Sequence, residues 1–486
     1  MNKTLDADLI IVGCGVAGLS AAVTALEQGL KVINLERSGE DHFGGNSRWT
    51  EAYMRMKNDS EIADDFEEHF ANNPGVNLDP NVLDAAGDSY EHWPAFVKSH
   101  AFPDPELVSS FATSVPPTIQ WLKSHGLKFG PQPIYLLTQN TTRIAAQGGG
   151  LAIIETLMAK AVALGGEIRY RTTAVDLLRG DDGAVTGLVC TGPEGQRLNL
   201  TAKNVILASG GFQGNPEMMA QYIGPRSRHI RPVAIGGYYN KGEGIRMALN
   251  AGAAPAGEFG SYHAEPVDPR SRQAEAVVFI YPYGILVDKL AQRFVNEAPG
   301  TVDANYDNIT RSIADTPDGI SYVIFDSRVE DIPRWKTSIR SDLPPYKADD
   351  LADLARQIGL NGDALAATIG AFNRACPPEA GEFTPFALDH RSTTGLPLPK
   401  SHWSRPIDKA PFYAYPIIPT NCFTFGGLKV NVDAQVMDQD GKVMQGLYAA
   451  GETMGIYHQV YNGSTSVLRG LVFGRRAAQH AARASV

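Results

Sequence analysis

Short apolar runs without polar alternation punctuate this chain, and several of them end in glycines. Asp8-Leu-Ile-Ile-Val12 is the first, the pattern of a strand buried on both faces. Gly13-Cys-Gly15-Val-Ala-Gly18 follows at once. Apolar residues then recur at Leu19, Ala22, Val23 and Leu26, which predicts a helix that stops at Gly29. Lys31-Val-Ile-Asn-Leu35 reads as a second strand ending at Glu36. Further strands are predicted at Glu167–Arg171, at Asn204-Val-Ile-Leu-Ala-Ser-Gly-Gly211 and at Gly446-Leu-Tyr-Ala-Ala-Gly-Glu452. Residues 53–150 read as helices with loops, with a further helix beginning at Gln147-Gly-Gly-Gly150. Another helical stretch lies near Asp349–Ala375.

The first strand–glycine–helix–strand unit has a physical logic. Gly13 allows the tight turn, Gly15 lets backbone approach a pyrophosphate, and Gly18 lets helix and strand pack closely. The helix N-terminus meets phosphate charge, and Glu36 can accept hydrogen bonds from ribose hydroxyls. This is a dinucleotide site, and the motif by itself does not choose between NAD and FAD. The polar, nest-forming turn Gly44-Gly45-Asn46-Ser47 follows the acid closely.

Composition narrows the field. The chain has 486 residues, which favours two domains. Its formal charge is −10, and no basic stripe with interleaved aromatics is present, so nucleic acid is not an expected partner. The four cysteines, Cys14, Cys190, Cys376 and Cys422, have no CxxC spacing. Neither a zinc site, nor a disulfide framework, nor an iron–sulfur cluster is expected, and a reducing compartment suits them. No run of about eighteen apolar residues occurs. The expectation is a cytoplasmic protein with no membrane partner.

The motifs taken together resemble the FAD-binding subunits of the fumarate reductase and succinate dehydrogenase family. They are the GxGxxG with its acid, Gly-Gly-Asn-Ser47, the Ala-Ser-Gly-Gly211 strand, the 284–297 segment ending Arg-Phe-Val-Asn-Glu297, Thr-Phe-Gly-Gly-Leu-Lys-Val430 and Gly-Leu-Tyr-Ala-Ala-Gly-Glu452. The resemblance covers nearly the whole chain and is strongest to tricarballylate dehydrogenase-like and 3-ketosteroid dehydrogenase-like members. It implies an α/β fold, a Rossmann-type (GR2-like) FAD-binding domain with an inserted α+β capping domain. The implied boundaries are 1–258 and 425–486 for the FAD domain and 259–424 for the cap. It further implies that Gly13, Gly15, Ala17, Gly18, Glu36, Arg37, Gly45, Asn46, Ser47, Gly210, Glu243, Gly451 and Glu452 surround FAD. Val175 is expected to meet the adenine through its backbone. Ser466 and Val467 are expected to offer N–H groups to the pyrimidine end of the flavin. Some relatives bond flavin covalently through a histidine; residues 43–52 contain none, so noncovalent FAD is expected.

Family members that act on fumarate clamp two carboxylates with histidines and arginines. Here the first clamp histidine falls at His263. The next group falls at Ala276-Val-Val-Phe-Ile280, the proton-delivering arginine near Thr301, the second histidine at Phe423, and the last arginine at Tyr461 or Asn462. Four of five elements are missing, so a dicarboxylate would be buried with too few cations. Phe279, Tyr281, Tyr283, Phe423, Phe425, Tyr457 and Tyr461, with His263 and His458, suggest an aromatic pocket instead, although such residues also serve as ordinary core. Among them Phe279, Tyr281, Phe423 and His458 are read as substrate contacts. Arg48 and Arg143 are candidates for pairing one carboxylate, and Arg293 with Glu297 reads as a structural pair.

The expected activity is FAD-dependent dehydrogenation of a CH–CH bond next to a carbonyl in a small cyclic ketone or keto-carboxylate. Tyr461 is the candidate that polarises the carbonyl, matching a catalytic tyrosine of the ketosteroid dehydrogenases. His263 and Tyr306 are candidates for the α-proton base. Alternatives are reduction of an activated alkene, a tricarballylate-type reaction, and an electron-transfer subunit. The partners are a small-molecule substrate and an electron acceptor that the sequence does not identify.

Overall fold

A computed structural model describes residues 6–72, 77–87, 89–131, 143–378 and 383–485. The apolar runs build an eight-stranded sheet. Ala7–Val12 lies at its centre, parallel to Val32–Leu35 on one side and Arg197–Leu207 on the other. Glu167–Arg169 extends one edge beyond Val32–Leu35, two residues shorter than expected. Val443–Ala449 pairs in parallel with Arg197–Leu207, so the end of the chain completes the sheet begun at its start. An antiparallel hairpin, Thr173–Arg179 and Val185–Thr191, pairs with the first half of Arg197–Leu207.

Two helices cover the centre of this sheet. Val16–Glu27 packs against Ser466–Ser485 because small residues line the seam. A Cβ on Gly474 would stand 2.2 Å from the Ala17 carbonyl, and one on Gly470 would stand 2.8 Å from Val16. Gly18 serves the other face, where a Cβ would fall 2.0 Å from the Gly13 carbonyl. Among the described residues of 53–150 are one long helix, Pro105–Ser124, shorter helices and three short paired strands. Residues 73–76, 88 and 132–142 of that segment lie outside the described residues. The glycine run at 148–150 opens the helix Gly149–Ala163.

A second, six-stranded sheet is organised around one thirteen-residue strand, Phe412–Thr424. Its first half pairs with Ser321–Asp326, and its second half with Tyr262–Val267. The helical stretch expected near 349–375 is two helices, Leu351–Ile358 and Gly362–Ala375. Gly359 breaks it by taking a left-handed φ of 72°, and the Asn361 side chain caps the second helix through the Ala364 N–H at 2.9 Å. Leu354, Leu365, Ile369 and Phe372 bury against Ile285, Val287 and Ile324, each contributing roughly 1.5–3 kcal/mol of apolar burial. Arg293 and Glu297 form the expected pair at 2.6 Å, and Glu297 also accepts the Leu286 N–H at 3.1 Å, which ties the loop to its strand. Strands of the first sheet come from 7–207 and 435–449, those of the second from 231–424. No helix among the described residues is long and apolar enough to cross a membrane.

Candidate active site

A single cavity of about 530 Å³ runs from the first helix to the second sheet. Its floor is the C-terminal end of the central strands, where ligands of open parallel sheets bind. Gly13 there has φ 108°, and a Cβ on it would fall 2.3 Å from the Ala208 carbonyl. Gly15 differs: a Cβ on it would meet only Ser47 Oγ at 3.5 Å and the Gly44 carbonyl at 3.7 Å, so its missing side chain keeps the cavity clear. Ser47 Oγ accepts the Val16 N–H at 3.3 Å, which fixes the Gly44–Ser47 turn over the helix start. Glu36 is buried and accepts the N–H groups of Cys14 at 3.1 Å and Ser38 at 2.8 Å, one on each oxygen. Burial raises its carboxyl above the ordinary range, against the pull of those two bonds. Each oxygen keeps a lone pair for a hydroxyl. Arg37 forms an ion pair with Glu243 across the wall. At the far end Glu452 is held by the Thr424 N–H at 2.7 Å, Asn240 at 3.2 Å and Gln213 at 3.3 Å. This long groove of bare backbone, helix N-terminus and acceptor acid fits an adenine dinucleotide.

The other half of the cavity is aromatic and acidic. His263 Nε2 and the Tyr306 hydroxyl are 2.7 Å apart. The His263 ring lies 4.4 Å from that of Tyr461 and 5.2 Å from that of Phe423, while Phe279 stands 5.3 Å from Tyr306. Burial, with help from Arg311, lowers His263 to about 3, so its ring is neutral. Burial and the neighbouring Glu265 hold the Tyr306 hydroxyl well above its usual value. The Tyr461 oxygen accepts the N–H groups of Thr465 at 2.9 Å and Ser466 at 3.0 Å, and its proton goes to Ser466 Oγ at 3.0 Å.

The structure brings together Gly13, Gly15, Ala17, Glu36, Arg37, Gly45, Asn46, Ser47, Gly210, Glu243, Gly451, Glu452, Ser466 and Val467 on one wall, and His263, Phe279, Tyr306, Phe423 and Tyr461 on the other. Several expectations need correction. Val175 is 41% exposed on the hairpin and does not border the cavity; Thr172, Thr173 and Ala174 do, because the strand begins at Thr173 and turns the next side chain outward. Gly18 packs beneath the wall and has no face on the cavity. Tyr281 is wholly buried in the core behind Phe279, and His458 is buried near Lys429 and His100, so neither is a lining residue. The Ser466 N–H serves Tyr461, since Ser464 at φ 64° folds the preceding loop back over the helix start. Arg48 stacks 4.9 Å from the Phe43 ring outside the cavity, whereas Arg143 lines it, bonded to Ser464 at 2.6 Å and Asp303 at 3.4 Å.

Sequence reasoning missed a part-buried acid cluster. Glu265, two residues after His263 on the same strand, lines the cavity; an imidazole nitrogen of His263, a carboxylate oxygen of Glu265 and the Cys422 sulfur lie within 4.8 Å of one another. Burial and Glu275 push the Glu265 carboxyl up to about 8. Arg340, from a distant loop, pairs with Glu275 at 3.0 Å and with Glu51. The i, i+2 spacing of His263 and Glu265 put both on one strand face and was a usable signal; the contact with Arg340 had none.

Such a groove, opening onto a neutral histidine–tyrosine pair, suits a flavin-dependent oxidoreductase. The chain matches the FAD binding domain family over residues 8–468 and belongs to it. It is 28% identical to an NADH:acrylate oxidoreductase of Vibrio harveyi, over 99% of this chain but only about half (51%) of that protein's length. It is 27% identical to a vinyl phenol reductase of Lactiplantibacillus plantarum, covering 98% of this chain and 96% of the relative. A 4-oxocyclohex-2-ene-1-carboxylate 5-dehydrogenase of Sinomonas cyclohexanicum is 27% identical over 99% of this chain and 95% of its own. In fold it is similar to the open conformation of a flavocytochrome c3 fumarate reductase, with TM-score 0.73 and 24% identity over 100% of this chain and 79% of that one.

Proposed function

We propose that this FAD-dependent oxidoreductase acts on a carbon–carbon bond beside a carbonyl, in a small, uncharged or singly charged ring compound, and that it runs as a desaturase. The observation that carries this reading is the meeting of Tyr461, with its oxygen fixed by two backbone N–H groups, and the His263–Tyr306 pair against Phe279 and Phe423. We assign 1–258 and 425–486 to cofactor binding and 259–424 to the substrate cap. We further assign the cavity-lining residues of the first wall to FAD, which when bound accepts a hydride from the β-carbon. Tyr461 turns its proton from Ser466 Oγ to the substrate oxygen. Its two N–H donors make that hydroxyl a stronger donor as negative charge builds there. Tyr306 takes the α-proton as it passes its own proton to the neutral His263 Nε2, 2.7 Å away. Phe279 and Phe423 face the ring and keep water out.

Charge supports an uncharged or singly charged substrate. Arg55, Arg143 and Arg340 on the cavity wall each have a carboxylate partner, namely Asp65, Asp303 and Glu275. Apart from Arg469 in the last helix, which forms no ion pair among the described residues, a dicarboxylate meets cations already neutralised. The dehydrogenase relative named for an oxocyclohexene carboxylate favours this substrate class. Alkene reduction is the second reading, favoured by the relatives named for acrylate and vinyl phenol; the same groups run it in reverse. The test is anaerobic mixing of the oxidised holoenzyme with oxocyclohexane carboxylates, 3-ketosteroids and succinate. Bleaching by a cyclic ketone is expected. Bleaching by succinate alone overturns the reading, and oxidation of reduced enzyme by alkenes alone selects the second.

A further inference from the structure

Arg469 stands in the first turns of the last helix and is 1% exposed, yet it borders the cavity beside Gly451, Glu452, Ser466, Val467 and Gly470. Arg37, Arg55, Arg143 and Arg340, which also line the cavity, each form an ion pair. Arg469 forms none among the described residues. One Nη donates to the Met454 carbonyl at 3.2 Å, and Nε has no partner. The guanidinium lies 4.6 Å from the Tyr457 ring centre and 5.6 Å from that of Phe423. These rings hold a buried cation without neutralising it. Glu452 is close enough for Arg469 to favour its charged form, but its oxygens are already engaged by Thr424, Gln213 and Asn240.

A buried arginine kept without a counter-ion is costly unless an anion comes to it. We propose that Arg469 is a fixed cation that stabilises the anionic, reduced form of the bound flavin and so sets its reduction potential. Two-electron reduction with uptake of one proton leaves a negative charge on the flavin ring system. Backbone donors answer part of that charge, and Ser466, one of the two expected there, spends its N–H on Tyr461. A full charge on the same helix makes up the difference, and because it is present before reduction it costs no reorganisation. The inference depends on FAD binding and is independent of the substrate.

The experiment measures the midpoint potential of protein-bound FAD, by dithionite titration against a reference dye, in wild type, Arg469→Met and Arg469→Lys. Arg469→Met should lower the potential by about 30 mV or more, a tenfold loss in preference for the reduced form. Arg469→Lys, which keeps the charge, should recover at least about half of that shift. Sulfite, whose addition to the oxidised flavin also creates a negative charge, should bind about tenfold more weakly to Arg469→Met. If Arg469→Met does not retain FAD, Arg469→Gln, which keeps a donor for the Met454 carbonyl, is read in its place. Wild-type potential and sulfite affinity in the neutral variant overturn the proposal. So does an equal fall in Arg469→Lys, or loss of FAD from both neutral variants, since the side chain would then act by shape or retention and not by charge.

Discussion

His263 and Tyr306 share a hydrogen bond of 2.7 Å between an imidazole that burial keeps neutral and a phenol that burial keeps protonated. Neither group carries charge at rest, so the pair can sit buried in the cavity wall and exchange a proton only when a substrate presents or demands one. Tyr306→Phe keeps the ring against Phe279 and removes the exchanging atom. Flavin reduction by the substrate should slow by about 10²–10⁴, the usual worth of a positioned acid or base, while the substrate dissociation constant changes little. Stopped-flow absorbance separates the two, and an unchanged reduction rate removes Tyr306 from the mechanism.

Tyr461→Phe should have two effects. Loss of the donor should cost roughly a hundredfold to a thousandfold in rate. The N–H groups of Thr465 and Ser466 also lose their acceptor, which should lower stability by about 1–3 kcal/mol. A melt followed by flavin fluorescence reads the second effect without substrate. A variant that melts like wild type and reduces flavin within threefold of it would move the carbonyl-polarising role elsewhere.

Gly15 and Gly18 should fail differently. A Cβ on Gly15 has room in the apoprotein, so Gly15→Val should fold and lose FAD. A Cβ on Gly18 collides with the Gly13 carbonyl at 2.0 Å, so Gly18→Val should lose soluble folded protein altogether. Circular dichroism and flavin occupancy on both variants distinguish these outcomes, and full FAD occupancy in Gly15→Val would contradict the motif.

Glu265 should leave a mark on pH-dependent stability. Its carboxyl is raised from 4.5 to about 8, so between those values the folded protein holds a proton that the unfolded chain has released. Its contribution is fully present below 4.5 and is lost as pH rises to about 8. Glu265→Gln removes that loss. Melting temperatures of wild type and variant should therefore diverge as pH rises across this window, with the variant the more stable at the alkaline end. Parallel curves would show that Glu265 titrates normally.

Flavin should be released by acid precipitation. Residues 43–52 contain no histidine, and the adjacent His42 is engaged with the Tyr239 hydroxyl at 3.0 Å. Yellow colour retained in the washed pellet would reveal a covalent link.

The nucleotide half of the site was legible because its chemistry is local. Gly13, Gly15, Glu36 and Asn46 are recognisable from neighbours in sequence, and their backbone requirements hold wherever the motif occurs. The substrate half is assembled from segments far apart in the chain, so its residues were read from type and resemblance. His263, Tyr306 and Tyr461, read in that way, converge in the cavity. The same reading failed for Tyr281 and His458, whose composition looked alike but whose strands and turns point them into the core. Val175 lies one residue past Thr172, Thr173 and Ala174, which line the cavity. Arg340 and Glu275 were invisible because an ion pair between positions 65 residues apart leaves no spacing to read.

The thirteen-residue strand Phe412–Thr424 has a mechanical consequence. Its first half is clamped to Ser321–Asp326, and its last residue delivers an N–H to Glu452, in the turn that follows the strand Val443–Ala449 of the other sheet, immediately after Cys422 and Phe423. A strand paired along both halves transmits displacement end to end like a push-rod, with little bending to absorb it. The strand beside Tyr262–Val267 thus reaches Glu452 through one continuous piece of backbone, interrupted only by the irregularity opposite His263 and Ala264.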